Sequence, residues 1–321
     1  MKRRNFLKST ALAGLSISAF NVLSSLDPGM IPHGKPFFKL SLAQWSLHRM
    51  FRNDGVDPFL FSSKAKKMGF EGIEYVNSLY FNHINSFSSV TSGMNSFIKK
   101  ALTSSEEAGV KNLLIMIDGE GALSTPNQSE RQKAVENHHK WIEAASAIGC
   151  HSIRVNLRGT EDPDEWVENS TASLLKLSEY GKEFDINVIV ENHGGLSSNA
   201  ELLVKAIKNT GMANCGTLPD FGNFCIKRDR TITRGNTCVD EYDRYKGVSE
   251  MMPYAKAVSA KSYDFNKKGN ETTIDYERML KIIHEAGYDG FIGVEYEGRK
   301  LSEKEGIIAT KDLLLKLGKE I

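Results

Sequence analysis

The stretch Val188–Gly195 reads V-I-V-E-N-H-G-G and decides the fold predicted for the whole chain. Three residues typical of a buried strand lead into a carboxylate, an amide, an imidazole and two glycines. Folds built from parallel strands that are covered on both faces place their functional side chains at the carboxyl ends of those strands. Because side chains alternate along a strand, Glu191 and His193 share one side and Asn192 lies on the other. The stretch therefore predicts a buried parallel strand that ends in functional groups.

The same form recurs along the chain, as an apolar run that ends in polar residues. The strand-like segments are Phe38–Leu47, Gly72–Asn77, Asn112–Gly119, Ser152–Gly159, Asn187–Gly194, Cys215–Asn223, Ala257–Asp264 and Phe291–Gly298. Amphipathic helical windows follow them, at Phe59–Met68, Met94–Ala108, Glu130–Ile148, Glu165–Phe184, Asn199–Thr210, Glu241–Ala255, Tyr276–Ala286 and Glu303–Leu317. Such alternation predicts an α/β protein, a single (β/α)8 TIM barrel. A doubly wound open sheet is the competing fold, but no G-x-G-x-x-G follows the first strand.

Composition is consistent with a globular enzyme and argues against nucleic acid as a partner. The chain has 321 residues, of which 40% are hydrophobic and 25% charged. A barrel of this type takes about 250 residues as one domain. The formal net charge of +1 gives no basic surface for a nucleic acid backbone.

The N-terminus predicts export. Met1–Lys8 reads M-K-R-R-N-F-L-K, the form of a twin-arginine signal, and an uncharged stretch follows from Ser9 to Leu26. A membrane anchor is the alternative, but glycine, serine and asparagine make the stretch weakly hydrophobic. We expect residues 1–31 to be an export signal with its linker and residues 32–321 to be the barrel. The mature protein is then expected in the periplasm without a stable membrane anchor.

Four cysteines are too few and too scattered for a disulfide framework in a chain of this size. The absence of C-x-x-C argues against a thiolate zinc site. One bridge among Cys215, Cys225 and Cys238 is compatible with an oxidising compartment, and the sequence leaves their pairing open.

Charged side chains end most of the predicted strands in the second half of the chain and one in the first. They are Glu74, Glu191, His193, Asp220, Lys261, Glu295 and Glu297. A barrel directs these ends at one point, where buried carboxylates cannot all stay charged unless a positive group lies among them. A divalent metal near Lys261 is the simplest such group. Oxygen ligands with at most one or two imidazoles favour Mn²⁺ or Mg²⁺, with Zn²⁺ as an alternative.

These carboxylates also have simpler interpretations. Glu74 and Glu297 could end their strands as solvated or salt-bridged groups. Asp220, in L-P-D-F-G, could form an Asx turn. Glu191 and Glu295 each end a run of strand-core residues, so a functional role is the stronger interpretation for those two.

Several motifs identify the chain as similar to a known superfamily. They are S-L-A-Q-W-S-L-H, G-F-E-G-I-E-Y, V-I-V-E-N-H, D-F-G-N and G-Y-D-G-F-I-G-V-E-Y-E-G. From about Phe38 onward, the chain resembles the sugar phosphate isomerase/epimerase superfamily, the xylose isomerase-like barrels. The resemblance implies a metal held by Glu191, Asp220, Glu295 and a histidine on the seventh strand. It also implies that the two glutamates act as acid and base on opposite faces of a sugar.

Two positions depart from that pattern. The family's seventh strand usually carries H-x-K-D, where this chain has Ser259-Ala260-Lys261-Ser262, and Asn223 replaces a histidine that often follows the aspartate. Ser259 or His193 could complete a metal shell, or Lys261 could serve a metal-free site.

The predicted function is a sugar isomerase or epimerase that removes a proton next to a carbonyl, with Glu191, Glu295 and Lys261 as catalytic residues. The expected substrate contacts are Trp45, His48, Glu74, Arg154, His193, Asn223 and Glu297, although Trp45 could equally be a core residue. A lyase acting on oxidised (keto) glycosides and a non-catalytic sugar-binding barrel are the alternatives. A metal-dependent endonuclease shares the barrel but needs several histidines and a basic groove. Relatives often pair through barrel-face helices, so the resemblance also implies a homodimer.

Overall fold

Strands and helices alternate from Lys39 to Leu317 in the computed structural model, which describes residues 34–229, 231 and 237–321. The strands are β1 Lys39–Ala43, β2 Gly72–Val76, β3 Lys111–Met116, β4 Ser152–Val155, β5 Asn187–Glu191, β6 Cys215–Leu218, β7 Cys225–Asp229, β8 Thr237–Glu241, β9 Val258–Ser262 and β10 Phe291–Tyr296. The helices are α1 His48–Arg52, α2 Phe61–Lys67, α3 Phe81–Asn85, α4 Val90–Ala108, α5 Gln128–Ala147, α6 Pro163–Glu183, α7 Ala200–Thr210, α8 Arg244–Met251, α9 Tyr276–Glu285 and α10 Glu303–Leu317.

Eight parallel strands form a sheet in the order β6-β5-β4-β3-β2-β1-β10-β9. The two end strands are joined by main-chain hydrogen bonds. Ser259 N donates to Pro219 O at 2.9 Å, and Phe221 N donates to Ser259 O at 3.1 Å. Lys256 N donates to Thr217 O at 3.0 Å. These bonds close the sheet, and the predicted single (β/α)8 barrel is confirmed.

Alternation along each strand divides the side chains between two cores. Ile73 and Tyr75 of β2 face the helices, where they join the large outer core, whereas Val76 belongs to the small core inside the barrel. Ile189 of β5 also lies inside. Glu191, two residues further along β5, therefore lies on the inner side, above Ile189.

The elements outside the barrel differ most from prediction. The first strand ends at Ala43, and Gln44–Leu47 is a 3-10 helix. β7 and β8 form an antiparallel hairpin between β6 and α8 that the strand pattern did not predict. A disulfide joins Cys225 to Cys238 across this hairpin, which resolves the pairing that the sequence left open, and Cys150 and Cys215 are free and buried.

The predicted export signal, residues 1–31, and the boundary at residue 32 lie outside the described residues. Within the part that is described, no helix is both long and apolar enough to cross a membrane.

Candidate active site

Three carboxylates meet inside the carboxyl end of the barrel. Glu191 ends β5, Asp220 follows β6 and Glu295 lies on β10, and all three are buried. One oxygen from each lies within 4.8 Å of the others. Three different strands thus bring their acids to one point, as the strand-end pattern predicted.

The Asp220 carboxylate has two roles. Its Oδ1 accepts hydrogen bonds from Gly222 N and Asn223 N, both at 2.9 Å, and this forms the Asx turn considered above. Its Oδ2 accepts a hydrogen bond from Ser259 Oγ at 2.7 Å. The turn therefore fixes the direction of the carboxylate, which leaves Oδ2 for the cluster.

Ser259 lies between two of the acids at the position where the family pattern has a histidine. Its Oγ is 2.7 Å from Asp220 Oδ2 and 2.9 Å from Glu295 Oε2. A hydroxyl has one hydrogen to donate, so a second proton must sit on a carboxyl group for both contacts to be hydrogen bonds. Burial, only partly offset by Lys261, raises the pKa of Asp220 to about 8.

Lys261 provides positive charge on the other side of Glu295. Its Nζ is 3.0 Å from Glu295 Oε1, 3.3 Å from Glu297 Oε1 and 3.8 Å from Asp220 Oδ2. Burial alone would lower the pKa of this ammonium group, but the three carboxylates outweigh burial and hold the pKa of Lys261 well above its usual value. Lys261 is therefore charged in the site.

Glu191 is held from two sides. Arg154 Nε lies 2.9 Å from Glu191 Oε2, and Asn223 Nδ2 donates to Glu191 Oε1 at 2.9 Å. The contact with Arg154 is an ion pair outside hydrogen-bond geometry, because neither Nε nor Oε2 has a hydrogen-bond partner among the described residues. Burial, partly offset by Arg154, raises the pKa of Glu191 to about 7.

The cluster fits a divalent cation by its chemistry. Carboxylates outnumber the two buried cations, Arg154 and Lys261, and Glu191 Oε2 is buried without a hydrogen-bond partner in the described part of the chain. Oxygen ligands bind Mg²⁺ and Ca²⁺ at about 2.0–2.6 Å, so ligands on opposite sides of the ion are about 4–5 Å apart. The buried set Glu191, Asp220 and Glu295 matches that spacing and could hold a metal.

Two further predicted residues lie close to this centre. Glu74 is buried beneath it, where Ser41 Oγ donates to Oε1 at 2.6 Å and Oε2 has no hydrogen-bond partner among the described residues. A Cβ on Gly293 would lie 2.4 Å from Glu74 Oε1, so glycine at that position makes room for the carboxyl group. His193 lies at the end of β5, and burial together with the charge of Arg154 lowers the pKa of its imidazole to about 4.

A cavity of about 620 Å³ opens above the cluster, a size typical of small-molecule sites. Of the predicted substrate contacts, those that line it are Trp45, Arg154, His193, Asn223 and Glu297, together with the predicted catalytic residue Glu295. Glu191, Asp220 and Lys261 are not among the described residues that line the cavity. Glu191 contacts the lining residues Arg154 and Asn223, and Lys261 contacts Glu295 and Glu297.

His48 and Glu74 do not belong to the described lining of the cavity either. The His48 ring stacks on Trp45, with ring centroids 4.6 Å apart, and its Nδ1 contacts Trp45 O at 2.6 Å. The guanidinium of Arg52 lies 4.5 Å from the Trp45 ring centre. His48 therefore supports Trp45 from outside the cavity, whereas Trp45 itself is part of the wall.

Sequence reasoning missed the cavity wall that follows β3 and β4. Asp118, Asn156 and Arg158 all line the cavity, and Asp118 Oδ1 accepts hydrogen bonds from Arg154 at 3.1 Å and from Asn156 at 2.8 Å. Arg154, Asn156 and Arg158 are two residues apart. The alternation rule that selected Glu191 and His193 would have found them if it had been applied to the fourth strand.

Comparison with known proteins agrees with the barrel fold described above. The model of the family described as xylose isomerase-like TIM barrel matches residues 63–317. No curated protein matches the chain in sequence.

Solved structures with similar folds include sugar epimerases. The 3-keto-D-glucoside 4-epimerase YcjR from E. coli has a TM-score of 0.63 at 13% identity, with 86% of this chain and 98% of that chain covered. An L-ribulose 3-epimerase has a TM-score of 0.64 at 14% identity, with coverage of 88% and 95%. The IOLI protein, solved with a bound zinc atom, has a TM-score of 0.62 at 13% identity, with coverage of 88% and 99%.

Proposed function

Because the chain belongs to the xylose isomerase-like TIM barrel family, we propose that it is a sugar isomerase or epimerase acting next to a carbonyl group. The observation that carries this proposal is the buried cluster of Glu191, Asp220 and Glu295 below a polar cavity. Removing a proton beside a carbonyl requires a positioned base, and the enediolate that forms requires nearby positive charge. The cluster and Lys261 supply both.

Glu295 is the residue best placed to take the proton. It lines the cavity, and its two carboxylate oxygens contact Lys261 and Ser259. Lys261 Nζ, 3.0 Å from Glu295 Oε1, supplies positive charge beside this carboxylate, which would stabilise the negative charge of an enediolate. Trp45 and Glu297 complete the wall next to this carboxylate.

Isomerisation and epimerisation make different demands on Glu191. A proton that returns to the neighbouring carbon on the same face needs only Glu295, whereas epimerisation needs a second acid on the opposite face. Glu191 takes that second role once the substrate displaces the Asn223 amide from Oε1. Proton transfer from the substrate carbon to the neighbouring carbon, without exchange with water, would favour the one-base reaction.

A divalent cation belongs to this proposal through Glu191, Asp220 and Glu295, with Mn²⁺ or Mg²⁺ favoured by their oxygen ligands and Zn²⁺ as the alternative. When bound, it would polarise the substrate carbonyl. Ser259, in the place of the family's histidine, lies within hydrogen-bond distance of the ligand oxygens Asp220 Oδ2 and Glu295 Oε2 and can donate to one of them. Elemental analysis of the purified protein, beside Asp220→Asn, tests this part of the proposal.

Product analysis tests the function. The protein is incubated with a panel of neutral ketoses and aldoses, with and without added Mn²⁺, and the products are separated by chromatography. We expect one substrate to be converted and Glu295→Gln to lose at least about 100-fold in rate, because it removes the general base; Glu191→Gln should lose as much where the product is an epimer. Unchanged rates in both variants would refute the assigned roles.

The alternatives share the site. A lyase acting on oxidised (keto) glycosides begins with the same proton abstraction and then expels a group from the next carbon. A binding protein would hold the sugar without any change in it. We also propose that the protein is exported to the periplasm through the predicted twin-arginine signal. In that compartment a free or oxidised sugar is favoured as the substrate over a phosphorylated one.

A further inference from the structure

The cavity extends beyond the carboxylate cluster towards the turns that follow β3 and β4. This part of the wall, here named the β3–β4 lobe, comprises Asp118, His138, Asn156 and Arg158. It is continuous with the cluster, because Arg154 contacts both Glu191, at 2.9 Å, and Asp118, at 3.1 Å. The proton-transfer chemistry proposed above uses none of the four lobe residues.

Besides the Asp118 carboxylate, two side chains of the lobe present hydrogen-bond acceptors. Asn156 donates its amide to Asp118 Oδ1, while its own Oδ1 is buried without a hydrogen-bond partner among the described residues. His138 is 3% exposed, and its Nδ1 lies 2.7 Å from Ala134 O. Because a carbonyl oxygen only accepts, Nδ1 carries the hydrogen, and Nε2 of the neutral ring is an acceptor.

Two glycines in the turn after β3 border the lobe in the same cavity. Gly119 and Gly121 line it with φ angles of 77° and 111°, in the region that L-residues with a Cβ rarely adopt. A Cβ on Gly121 would lie 2.7 Å from Ala134 Cβ. Glycine at position 121 therefore lets the turn after β3 pack against α5, the helix that carries His138.

This arrangement of polar groups selects a ligand class. Acceptors on Asn156, His138 and Asp118 require a ligand that donates several hydrogen bonds, and Arg158 provides a donor at the rim. The charges of Asp118 and Arg158 cancel, so the lobe offers an anionic ligand no net positive charge, and the polar wall disfavours an apolar one. A neutral ring with several hydroxyl groups meets all of these conditions.

We propose that the β3–β4 lobe is a second sugar subsite and that the substrate is a glycoside. One ring carries the reacting carbonyl over Glu295, and the hydroxyls of the second ring bind Asn156, His138 and Asp118. This inference rests on the proposed function, because it names the substrate class of the same site.

Binding measurements test the subsite without requiring turnover. The affinity of the protein for D-fructose is compared by titration calorimetry with its affinities for turanose, maltulose and isomaltulose, which carry a glucosyl group on O3, O4 and O6 of fructose. We expect at least one disaccharide to bind tenfold or more tightly than D-fructose. Equal or weaker binding of all three disaccharides would overturn the inference.

Variants of the lobe residues then test whether the higher affinity for the disaccharide comes from the lobe. Asn156→Ala and His138→Phe should each lower the affinity for that disaccharide about fivefold, the effect of one lost hydrogen bond, and change that for D-fructose less than twofold. Arg158→Gln, at an exposed position, should act in the same direction. Arg278→Gln makes the same charge change on α9, outside the lobe, and should alter neither affinity.

The outcomes separate this inference from the function on which it rests. A disaccharide that binds through the lobe but is not converted, and does not exchange hydrogen with water, would refute the proposed function and leave the subsite standing. Conversion of free ketoses with no gain in affinity from a glucosyl group would refute the subsite alone. Loss of both affinities in the lobe variants would also overturn it.

Discussion

At the scale of residues, the site is a set of acids with different surroundings. Glu295 reaches the cavity, Glu191 is covered by Arg154 and Asn223, and Asp220 is fixed by its turn. These surroundings separate Glu295, which lines the cavity, from Glu191, which would meet the substrate only after the Asn223 amide is displaced, and from Asp220, which supports the other two. Such separation by environment is how enzymes assign different roles to identical carboxyl groups.

Glu74 makes the stability of the protein depend on pH. Burial, partly offset by the hydrogen bond from Ser41, raises the pKa of Glu74 to about 8. Because the folded-state pKa lies above the unfolded value of about 4.3, stability is highest below that value and falls as pH rises towards 8. Over this window one such group lowers the free energy of unfolding by about 1.4 kcal/mol per pH unit.

Glu74→Gln should remove this contribution. Urea unfolding in the presence of a chelator, at pH 5 to 9, should show a shallower loss of stability for Glu74→Gln than for the natural protein, with the largest difference at the alkaline end. Glu71→Gln, at an exposed position three residues earlier, is the matched control and should leave the slope unchanged. Parallel curves for Glu74→Gln and the natural protein would show that Glu74 does not titrate in this range.

Arg154 should be a major determinant of stability as well as of the site. Its buried guanidinium faces Glu191 and Asp118, and removing one partner of a buried ion pair typically costs about 3–5 kcal/mol. Arg154→Met should therefore lower the free energy of unfolding by that order. Adding Glu191→Gln should recover part of the loss, because the remaining glutamine needs no counter-charge. A double variant with the sum of both single losses would argue against direct coupling of the two side chains.

At the scale of elements, the hairpin β7–β8 is the part of the structure that stands apart from the barrel pattern. Its disulfide closes a segment with a sequence separation of 13 residues, and both Cys225 and Arg228 line the cavity. A cross-link of about that length stabilises a chain by roughly 3 kcal/mol, chiefly by restricting the unfolded state. The hairpin thus connects a local covalent bond to one wall of the site.

Replacing both cysteines should weaken substrate binding more than it affects chemistry. We expect Cys225→Ser with Cys238→Ser to lower the melting temperature and to raise KM while kcat changes little, because Arg228 loses its fixed position in the cavity wall. A reductant should reproduce this in the natural protein and have no effect on the double variant, which is the control. A fall in kcat at constant KM would contradict this view of the hairpin.

The sequence was informative where one physical rule acts alone. Buried parallel strands require continuous apolar runs, and this revealed all eight barrel strands and the acids at their ends. The search for apolar runs failed to find β7 and β8, because these strands are mostly exposed and lack both apolar runs and clear alternation. The lobe residues Asp118, Asn156 and Arg158 were missed because the strand-end search considered the fourth strand only for Arg154. The replacement of histidine by Ser259 could be seen, but its contacts with Asp220 and Glu295 depend on tertiary structure.

At the scale of the whole molecule, a nearly neutral chain contains a strongly acidic centre. The net charge is +1, yet the space inside the carboxyl end of the barrel holds more carboxylates than cations. An uncharged or cationic sugar is therefore favoured over a phosphorylated sugar as the substrate that binds above this centre. This agrees with the proposed export, since sugar phosphates are characteristic of the cytoplasm.

Export can be tested on the full chain. Replacing Arg3 and Arg4 together by lysine should retain the protein in the cytoplasmic fraction, because twin-arginine transport requires the arginine pair. The natural chain should appear in the periplasmic fraction, and Lys2→Arg is a control that keeps the charge and the arginine pair. Equal distribution of the natural chain and the double variant would refute the proposed route.

Exchange of substrate hydrogen with solvent tests the central claim most directly, namely that Glu295 removes a proton beside a sugar carbonyl. The sugar that the product assay identifies is incubated with the protein in D2O, and NMR follows the hydrogen on the carbon next to the carbonyl. We predict that deuterium enters that position with the natural protein and that Glu295→Gln abolishes its entry while the sugar still binds. Product formed without any deuterium in substrate or product, together with undiminished turnover by Glu295→Gln, would contradict the account.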